Sequence, residues 1–278
     1  MIGIFDSGLG GLTILKSILT KLPHYNYIYL GDTARAPYGN KSQTVIYGYA
    51  KEAVDFLFAR GCKLIIIACN TASSKALRQI QQEYLPAKYP ASPAGGSDKK
   101  VLGVIRPLVE EIASNDKIQR IGILGTRATV ESNAYFTELH NLKPNLEVFQ
   151  QAAPLLAPLI EEGWLDKPET KMILKKYLRP LKAKQAQALI LACTHYPFLL
   201  SDIRRIMAKR VFIPDPGKTV ADSLANYLSR HVELNIPLAS APTVQFYTTD
   251  DPNKFKELGE KFLGQTIEKI EKINLLSS

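Results

Sequence analysis

Short aliphatic runs alternate along the chain with longer stretches in which apolar residues recur every three or four positions. The first pattern is typical of buried strands, and the second of amphipathic helices. Strands are predicted at residues 2–5, 27–30, 64–68, 101–105, 120–124, 146–150 and 189–192, with two more after Arg210 and near Thr243. Helices are predicted at 11–21, 42–60, 72–83, 107–114, 168–179 and 252–263, after Thr126 or Thr129 as cap, and after Pro216. This alternation predicts an α/β protein with mostly parallel sheets.

The two halves of the sequence repeat one order of motifs. IGIFDSG begins at Ile2 and IGILGTR at Ile121, and each is followed at a similar distance by an aliphatic run that ends in a cysteine, Cys69 or Cys193. We therefore predict two similar, open α/β lobes that arose by duplication. Ligands of open α/β sheets bind outside the carboxyl ends of the strands. An active site is expected in the cleft between the lobes, with one cysteine on each side.

The point where the pattern restarts predicts the domain division. The first lobe is expected to comprise residues 1–96 plus 210–278, and the second lobe residues 97–209. The first lobe is discontinuous because the last strands and helices are expected to complete its sheet. The Pro- and Gly-rich stretch at 86–100 is predicted to connect the lobes, and the tail at 265–278 to lengthen the last helix or to fray.

Composition and charge exclude several classes of protein. Three cysteines without a CxxC pair, and four scattered histidines, give neither a disulfide framework nor the spacing of a metal site. No apolar run reaches the ~18 residues that span a bilayer, and the N-terminus resembles a strand more than a signal peptide, so a cytoplasmic protein without a membrane partner is expected. The net charge is +9, but we interpret the basic residues as dispersed over a solvated surface, so no nucleic acid is required.

The paired cysteines indicate acid–base chemistry. A helix that starts just after a strand-terminal thiol is expected to lower its pKa, as the positive end of the helix dipole favours the thiolate. Two thiols on opposite faces of one small molecule can invert a carbon acid, since one removes the α-proton while the other delivers a proton to the opposite face. The third cysteine, Cys62, lies ahead of an aliphatic run and is interpreted as a packing residue.

Six blocks carry a family resemblance. GIFDSGLGGLT, YLGDTARAPYG, ACNTAS, GTRATVES, PLIEEG and LACTHYP occur in this order between about residues 2 and 263. They resemble the signature blocks of bacterial glutamate racemases. The resemblance implies two α/β lobes and the cofactor-independent interconversion of L- and D-glutamate, which supplies D-glutamate for peptidoglycan. It also implies a homodimer.

The resemblance assigns roles to individual residues. Cys69 would deprotonate D-glutamate and Cys193 would deprotonate L-glutamate. Asp6 would assist Cys69 or hold the substrate ammonium, His195 would assist Cys193, and Glu161 would lie near His195. The implied substrate-binding residues are Asp6, Ser7, Tyr38, Gly39, Asn70, Thr71, Thr126, Thr194 and His195, with no metal ligand. The sequence departs from the family at Pro216, in a turn that usually has another residue, and in a longer connection at 86–100.

Other interpretations of the same residues stay open at this point. An aspartate racemase or another two-cysteine carbon-acid isomerase would use the same pair of thiols. A cysteine hydrolase would use Cys193 and His195 as nucleophile and base, but this leaves Cys69 without a role. A DNA-associated protein would account for the positive charge and would bind in a salt-sensitive way without either cysteine. Asp6, Tyr38 and His195 also have purely structural interpretations, as a helix cap, a loop anchor and a buried histidine.

Overall fold

The computed structural model describes residues 1–90 and 99–275 of the chain. Within these residues the strands form one parallel sheet of six strands and another of three. The strands are β1 Ile2–Asp6, β2 Tyr27–Gly31, β3 Leu64–Ile67, β4 Lys100–Gly103, β5 Arg120–Gly125, β6 Glu147–Ala152, β7 Ala188–Ala192, β8 Val244–Thr248 and β9 Ile270–Lys272. The helices are α1 Leu12–Lys21, α2 Gln43–Ala59, α3 Asn70–Lys75, α4 Leu77–Gln79, α5 Leu85–Lys88, α6 Ile105–Ala113, α7 Arg127–Glu131, α8 Ala134–Leu142, α9 Leu156–Glu161, α10 Pro168–Ala183, α11 Leu200–Met207, α12 Pro216–Arg230 and α13 Pro252–Leu263. The predicted α/β fold with two parallel sheets is confirmed.

The two sheets share one internal arrangement. The larger has the order β4-β3-β1-β2-β8-β9 and the smaller has the order β6-β5-β7. In each lobe the strand that begins the repeated motif is central, and the next two strands flank it, as β2-β1-β3 and β6-β5-β7. The strands that precede the two cysteines, β3 and β7, are therefore direct neighbours of the two central strands. This equivalence is the structural counterpart of the repeated sequence motifs.

The central strands are buried on both faces. Every residue of β1, β2, β3 and β7 is buried, as is usual for parallel strands that helices cover on both sides. One apolar cluster joins Ile4 and Leu12 of the first lobe to Leu189 and Leu191 of the second. The lobes therefore share a core, and side-chain packing fixes how they face each other.

Several sequence predictions need correction. The strand near residue 101 was assigned to the second lobe, but β4 pairs with β3 in the larger sheet. The tail forms the edge strand β9 beside β8, instead of lengthening α13. The helix predicted at 72–83 begins at Asn70 and is divided into α3, α4 and a π-helical turn at Ile80–Tyr84.

The structure also shows what forms at the predicted connection between the lobes and at the segment near Pro216. The connection begins with the short helix α5, and its residues 91–98 lie outside the described part of the chain. The strand predicted after Arg210 is reduced to one bridge between Ala188 and Phe212. Pro216 is the first residue of α12, where the missing amide hydrogen costs nothing, and the Asp215 side chain caps that helix.

The last third of the described chain returns to the larger sheet. Helix α12 packs against α1, and β8 pairs with β2. This agrees with the expected discontinuity of the first lobe, while the division at residues 96/97 and 209/210 stays a prediction. None of the helices in the described ranges has the length and apolarity needed to cross a bilayer.

Gly31, at the end of β2, lies where the chain has no room for a side chain. A Cβ at this position would come within 2.6 Å of the Gly8 carbonyl oxygen and 2.8 Å of the Phe255 ring. We expect Gly31→Ala to lower the free energy of unfolding by ~1–3 kcal/mol, because the backbone after β1 must shift. Urea denaturation followed by circular dichroism measures this change.

Gly48 provides the matched control within helix α2. A Cβ there would meet nothing within 4 Å. Gly48→Ala is expected to leave the free energy of unfolding unchanged or to raise it by about 0.5–1 kcal/mol, because alanine restricts the unfolded chain and favours helix. Equal destabilisation by both substitutions would contradict the steric argument for Gly31.

Candidate active site

Cys69 lies between the end of β3 and the start of α3, as the sequence predicted. Its side chain is buried, and its sulfur accepts a hydrogen bond from the Ala72 amide at 3.4 Å. The thiol also donates to the Ser7 hydroxyl, with 3.2 Å between the sulfur and the oxygen. The first cysteine is thus held by the turn that follows it and by the loop between β1 and α1.

The expected lowering of the Cys69 pKa is wrong for the unliganded protein. Burial, followed by the nearby charge of Asp6, raises the pKa of this thiol to about 12. The hydrogen bonds from Ser7 and the Ala72 amide act in the opposite direction but are outweighed. The helix start does act on the sulfur, yet desolvation is the larger effect. Cys69 is therefore a protonated thiol at neutral pH until something else changes around it.

Cys193 follows β7 in the equivalent position of the second lobe, and it is also buried. Its sulfur lies 3.8 Å from Nδ1 of His195. On the other side of the ring, His195 Nε2 lies 2.9 Å from Glu161 Oε1, in an ion pair whose geometry falls short of an aligned hydrogen bond. The structure thus brings together the second cysteine, the histidine and the glutamate that were predicted to act together.

The surroundings of His195 determine its charge. Burial by itself lowers the pKa of the imidazole, but the contacts with Cys193 and with the Glu161 carboxylate outweigh it and raise the pKa to about 10. His195 is therefore protonated at neutral pH. A cationic ring beside the Cys193 sulfur can exchange a proton with it and stabilise negative charge there.

The loop between β1 and α1 contacts both cysteine motifs. Its Ser7 meets Cys69, and Thr13, in the first turn of α1, donates weakly to the Thr194 carbonyl at 3.4 Å. Gly10 packs so closely on the second lobe that a Cβ would come within 2.2 Å of the Thr194 hydroxyl and 2.7 Å of His195 Nδ1. This segment is the DSGLGG motif, and its glycines allow the second lobe to approach the loop.

Asp6 ends β1 beneath this loop and is fully buried. One of its carboxylate oxygens, Oδ2, accepts from the Gly8 amide at 2.9 Å. The other, Oδ1, has no hydrogen-bond partner within the part of the chain that the structure describes. Burial raises the pKa of Asp6, while the positive charge of His195 acts against this. Asp6 does not cap α1, and its Oδ1 is a buried acceptor that no described residue satisfies.

Hydroxyl groups of three threonines join the two lobes beside the first cysteine. Thr71 of the first lobe lies 2.9 Å from Thr126 and 3.3 Å from Thr129, measured between hydroxyl oxygens. Thr126 also caps α7 by accepting from the Thr129 amide, as the sequence predicted. Gly39 packs on this group, since a Cβ there would come within 2.9 Å of the Thr126 side chain. These hydroxyls line the cleft and can turn toward a carboxylate.

Tyr38 is buried in the first lobe, and its hydroxyl is engaged by a carboxylate. The hydroxyl donates to the buried carboxylate of Asp32, which also binds Arg35 Nε at 2.7 Å and accepts from Thr249 at 2.8 Å. The sequence analysis missed Asp32, although it lies within the YLGDTARAPYG block. An aspartate next to a strand end, three residues before an arginine, was the available signal. Asp32 is a positioning residue that fixes the segment carrying Tyr38 and Gly39.

Tyr135 was also missed. Its buried hydroxyl donates to Asn70 Oδ1 at 2.5 Å across the lobes. Nothing in the spacing of the sequence distinguishes this tyrosine from the other tyrosines of the chain, so only the fold identifies it. It orients the amide of Asn70, the residue immediately after Cys69.

The two cysteine motifs influence each other electrostatically. A charge on Cys193 raises the pKa of Cys69, and the charges of both His195 and Glu161 act on Asp6, so the two lobes share one electrostatic environment. Among the described residues, no cluster of three His, Cys, Asp or Glu side chains has the arrangement of metal ligands. The site is a set of buried proton donors and acceptors that both lobes contribute.

Comparison with known proteins follows this geometry. The profile of the Asp/Glu/Hydantoin racemase family matches residues 11–223. The glutamate racemase of Syntrophus aciditrophicus is 38% identical over 99% of this chain and 96% of its own length. The crystal structure of the Francisella tularensis glutamate racemase in complex with D-glutamate is 37% identical, covers 100% of this chain and 98% of its own, and superposes with a TM-score of 0.87. That of the Bacillus anthracis isoform RacE1 is 32% identical, covers 99% and 97%, and has a TM-score of 0.88.

The similarity to these three relatives covers 99–100% of the chain. It confirms the family resemblance of the six sequence blocks. The chain belongs to the glutamate racemase family and is an amino-acid isomerase.

Proposed function

We propose that the chain interconverts L- and D-glutamate with Cys69 and Cys193 as its two acid–base groups and without a cofactor. One observation carries this proposal. Two buried thiols end equivalent strands of two lobes and interact electrostatically across one cleft. Relatives named glutamate racemase support glutamate as the substrate, as does the Francisella tularensis relative whose structure contains D-glutamate.

The proposed reaction moves one proton at each face of the substrate. The thiolate of one cysteine takes the proton from the α-carbon, and the electron pair of that bond remains on the carbon and the α-carboxylate. The thiol of the other cysteine then gives its proton to the opposite face. The configuration is inverted and the two cysteines have exchanged protonation states. Proton exchange with water, or a turnover from the other enantiomer, restores the starting state.

Different neighbouring residues help each thiol to become a thiolate. Cys69 has Ser7 and the buried carboxylate of Asp6, whose raised pKa suits it to accept a proton or the substrate ammonium group. Cys193 has the cation of His195, which Glu161 supports. A substrate ammonium at Asp6 would also offset the negative charge that raises the pKa of Cys69, so substrate binding favours the base form of this cysteine.

The same cleft provides groups for the substrate carboxylates. The hydroxyls of Thr71, Thr126 and Thr194 and the amide of Asn70 can donate to them. Donors that are fixed before the reaction stabilise charge that develops on the α-carboxylate as the proton leaves. The tie between Tyr135 and Asn70 keeps one of these donors in place.

We further propose that the product D-glutamate serves peptidoglycan synthesis in the cytoplasm and that the enzyme acts as a homodimer. Membership of the glutamate racemase family supports these assignments. Growth of a D-glutamate auxotroph that expresses the chain would test the cellular role. Light scattering of the purified protein would test the dimer.

Removing either thiol is expected to abolish racemisation. Cys69→Ser and Cys193→Ser should each lower kcat for racemisation by ~10²-fold or more, because a serine hydroxyl is a far weaker acid at these positions. Circular dichroism of D- and L-glutamate, followed separately with a thiol reductant present, measures both directions. In deuterium oxide, Cys69→Ser should still exchange the α-hydrogen of L-glutamate, and Cys193→Ser that of D-glutamate, without inversion.

Cys62→Ser provides the control, since this buried thiol packs near Gly3 and lies outside the site. Its racemase activity per folded molecule should match that of the unmodified chain. Racemisation that survives both active-site substitutions would refute the two-thiol mechanism. A cysteine hydrolase that used Cys193 and His195 would lose its activity with Cys193→Ser alone and keep it with Cys69→Ser.

Tyr38 is expected to position the loop without acting in the chemistry. Tyr38→Phe should lower the free energy of unfolding by about 1 kcal/mol, through the lost hydrogen bond to Asp32, while KM for glutamate stays within about twofold. Asp32→Ala should raise KM, because Tyr38 and Arg35 both lose their buried partner. Initial rates with each enantiomer test both, and a large fall in kcat for Tyr38→Phe would show that the hydroxyl takes part.

The charge of His195 makes a pH-dependent contribution to stability. Its pKa in the folded protein, about 10, lies above the ordinary value of 6.5. A group whose pKa is raised on folding stabilises the native state fully below its unfolded pKa, and this stabilisation is lost as the pH rises through the folded pKa. The stability difference between the unmodified chain and His195→Gln should therefore be largest below pH 6.5 and should shrink toward pH 10. Urea denaturation across this range measures it, with the exposed His24→Gln as control.

A further inference from the structure

The net positive charge of the chain comes from one segment, although basic residues are dispersed along the whole sequence. Residues 171–210 contain ten lysines and arginines and one acidic residue, Asp202. This segment alone carries a formal charge of +9, so the rest of the chain is balanced. The segment comprises most of α10, β7, α11 and the turn after α11. Because the net charge comes from one segment, it belongs to one part of the protein surface.

Helices α10 and α11 pack against each other and present this charge to solvent. Their exposed basic residues are Lys175, Lys176, Arg179 and Lys182 on α10 and Arg204 and Arg205 on α11. Among the described residues, Arg205 alone of these six has an acidic partner, Asp202. A groove of about 520 Å³ between the helices is lined by Lys175, Lys182, Arg205 and Ile206. We refer to these two helices and the groove as the α10–α11 surface.

The helical periodicity of α10 explains why its cations share one side. Leu174, Leu178 and Leu181 are buried and hold the helix on the second lobe. The basic positions fall between them at a spacing of three and four residues, so they lie on the outward side. The inward leucines fix the helix. The one acidic residue of α10 is the exposed Glu169 in its first turn, and from Lys171 onward the helix has none.

Large apolar side chains are exposed at the amino end of the same helix. Met172 is 66% exposed and Trp164, which precedes α10 by four residues, is 43% exposed. The Trp164 carbonyl accepts from the Lys167 amide at the start of α10, so the tryptophan is tied to this end of the helix. Asp166 and Glu169 are also exposed at this end of the helix, and the lysines of α10 follow both of them in the sequence. Exposed apolar side chains next to basic residues are found in protein segments that lie at a bilayer surface.

We propose that the α10–α11 surface docks the protein on an anionic lipid bilayer. The unpaired cations face the lipid phosphates, and Trp164 and Met172 enter the headgroup region. Basic residues near an anionic membrane contribute attraction that falls off within a Debye length. Phosphates of a nucleic acid would satisfy the cations equally well, but they offer no apolar layer for these two side chains. The apolar residues therefore favour a bilayer.

The surface is separate from the chemistry proposed above. None of its side chains belongs to the group around Cys69, Cys193 and Asp6, and α10 begins seven residues after Glu161. Docking through it leaves the cleft residues unchanged. The proposal therefore stands or fails independently of the reaction mechanism.

The single tryptophan of the chain allows a direct test. The purified protein is titrated with vesicles of phosphatidylcholine that contain phosphatidylglycerol, and with vesicles of phosphatidylcholine alone. Anionic vesicles are expected to sediment the protein and to shift Trp164 emission to the blue, and added salt should reverse both effects. Neutral vesicles should do neither. Sedimentation with unchanged emission, or equal binding to both kinds of vesicle, would overturn the proposal.

A charge-reversed variant and a matched control locate the contact. Lys175→Glu, Arg179→Glu and Lys182→Glu together should weaken binding to anionic vesicles at least about 100-fold, which corresponds to roughly 3 kcal/mol for three residues. Lys254→Glu, Lys256→Glu and Lys261→Glu on α13 change the net charge equally and should bind at least tenfold more tightly than the first variant. Circular dichroism and retained racemase activity check that both variants fold. Equal binding by the two variants would refute a contact at this surface.

A titration with DNA tests nucleic acid as the alternative ligand of the α10–α11 surface. Duplex DNA titrated under the same salt conditions should bind more weakly than the anionic vesicles and leave Trp164 emission unshifted. Tighter binding to DNA would overturn the proposal in favour of a nucleic-acid surface. Met172→Ala should weaken vesicle binding without changing DNA binding, because only the bilayer buries that side chain.

Discussion

The close approach between the β1–α1 loop and the second cysteine motif is the constraint on which the site depends. Gly10 leaves room for the Thr194 hydroxyl and the His195 ring, and a side chain of any size would push the second lobe away. The same loop carries Ser7, which holds the Cys69 thiol. One short segment thereby sets the position of both cysteines relative to each other. The apolar core that the lobes share keeps the segment rigid.

Burial in this cleft has opposite consequences for the two halves of the site. On the first side it keeps a proton on the Cys69 thiol and raises the pKa of Asp6, so negative charge is costly there. On the second side the Glu161 carboxylate and the Cys193 sulfur keep His195 positively charged. The first side of the site therefore keeps its protons, and the second side carries a positive charge.

Positioning residues behind the site serve this arrangement without taking part in it. Asp32 engages the Tyr38 hydroxyl, so the segment at 38–39 presents its backbone and ring while its polar end is occupied. Tyr135 does the same for Asn70 from the other lobe. Buried hydrogen-bonded groups of this kind define one conformation, because each partner would be left unpaired in any other. The α10–α11 surface differs from these buried groups, because its cations stay in water and face outward from the second lobe.

The sequence by itself determined the fold class and the family, and it named candidate residues for the chemistry. Aliphatic runs and helical periodicity gave the parallel α/β arrangement, because they report local burial, and the six ordered blocks gave the glutamate racemase family. Cys69, Cys193, Asp6 and His195 could be named because they end strands or begin turns within these blocks. Tertiary structure alone decided the rest. Three features depend on contacts between residues far apart in sequence. They are the pairing of β4 with β3, the formation of β9 by the tail, and the hydrogen bond from Tyr135 to Asn70. The pKa of Cys69 is the clearest case: the sequence placed it before a helix that favours the thiolate, but desolvation depends on everything packed around the sulfur and outweighs that local effect.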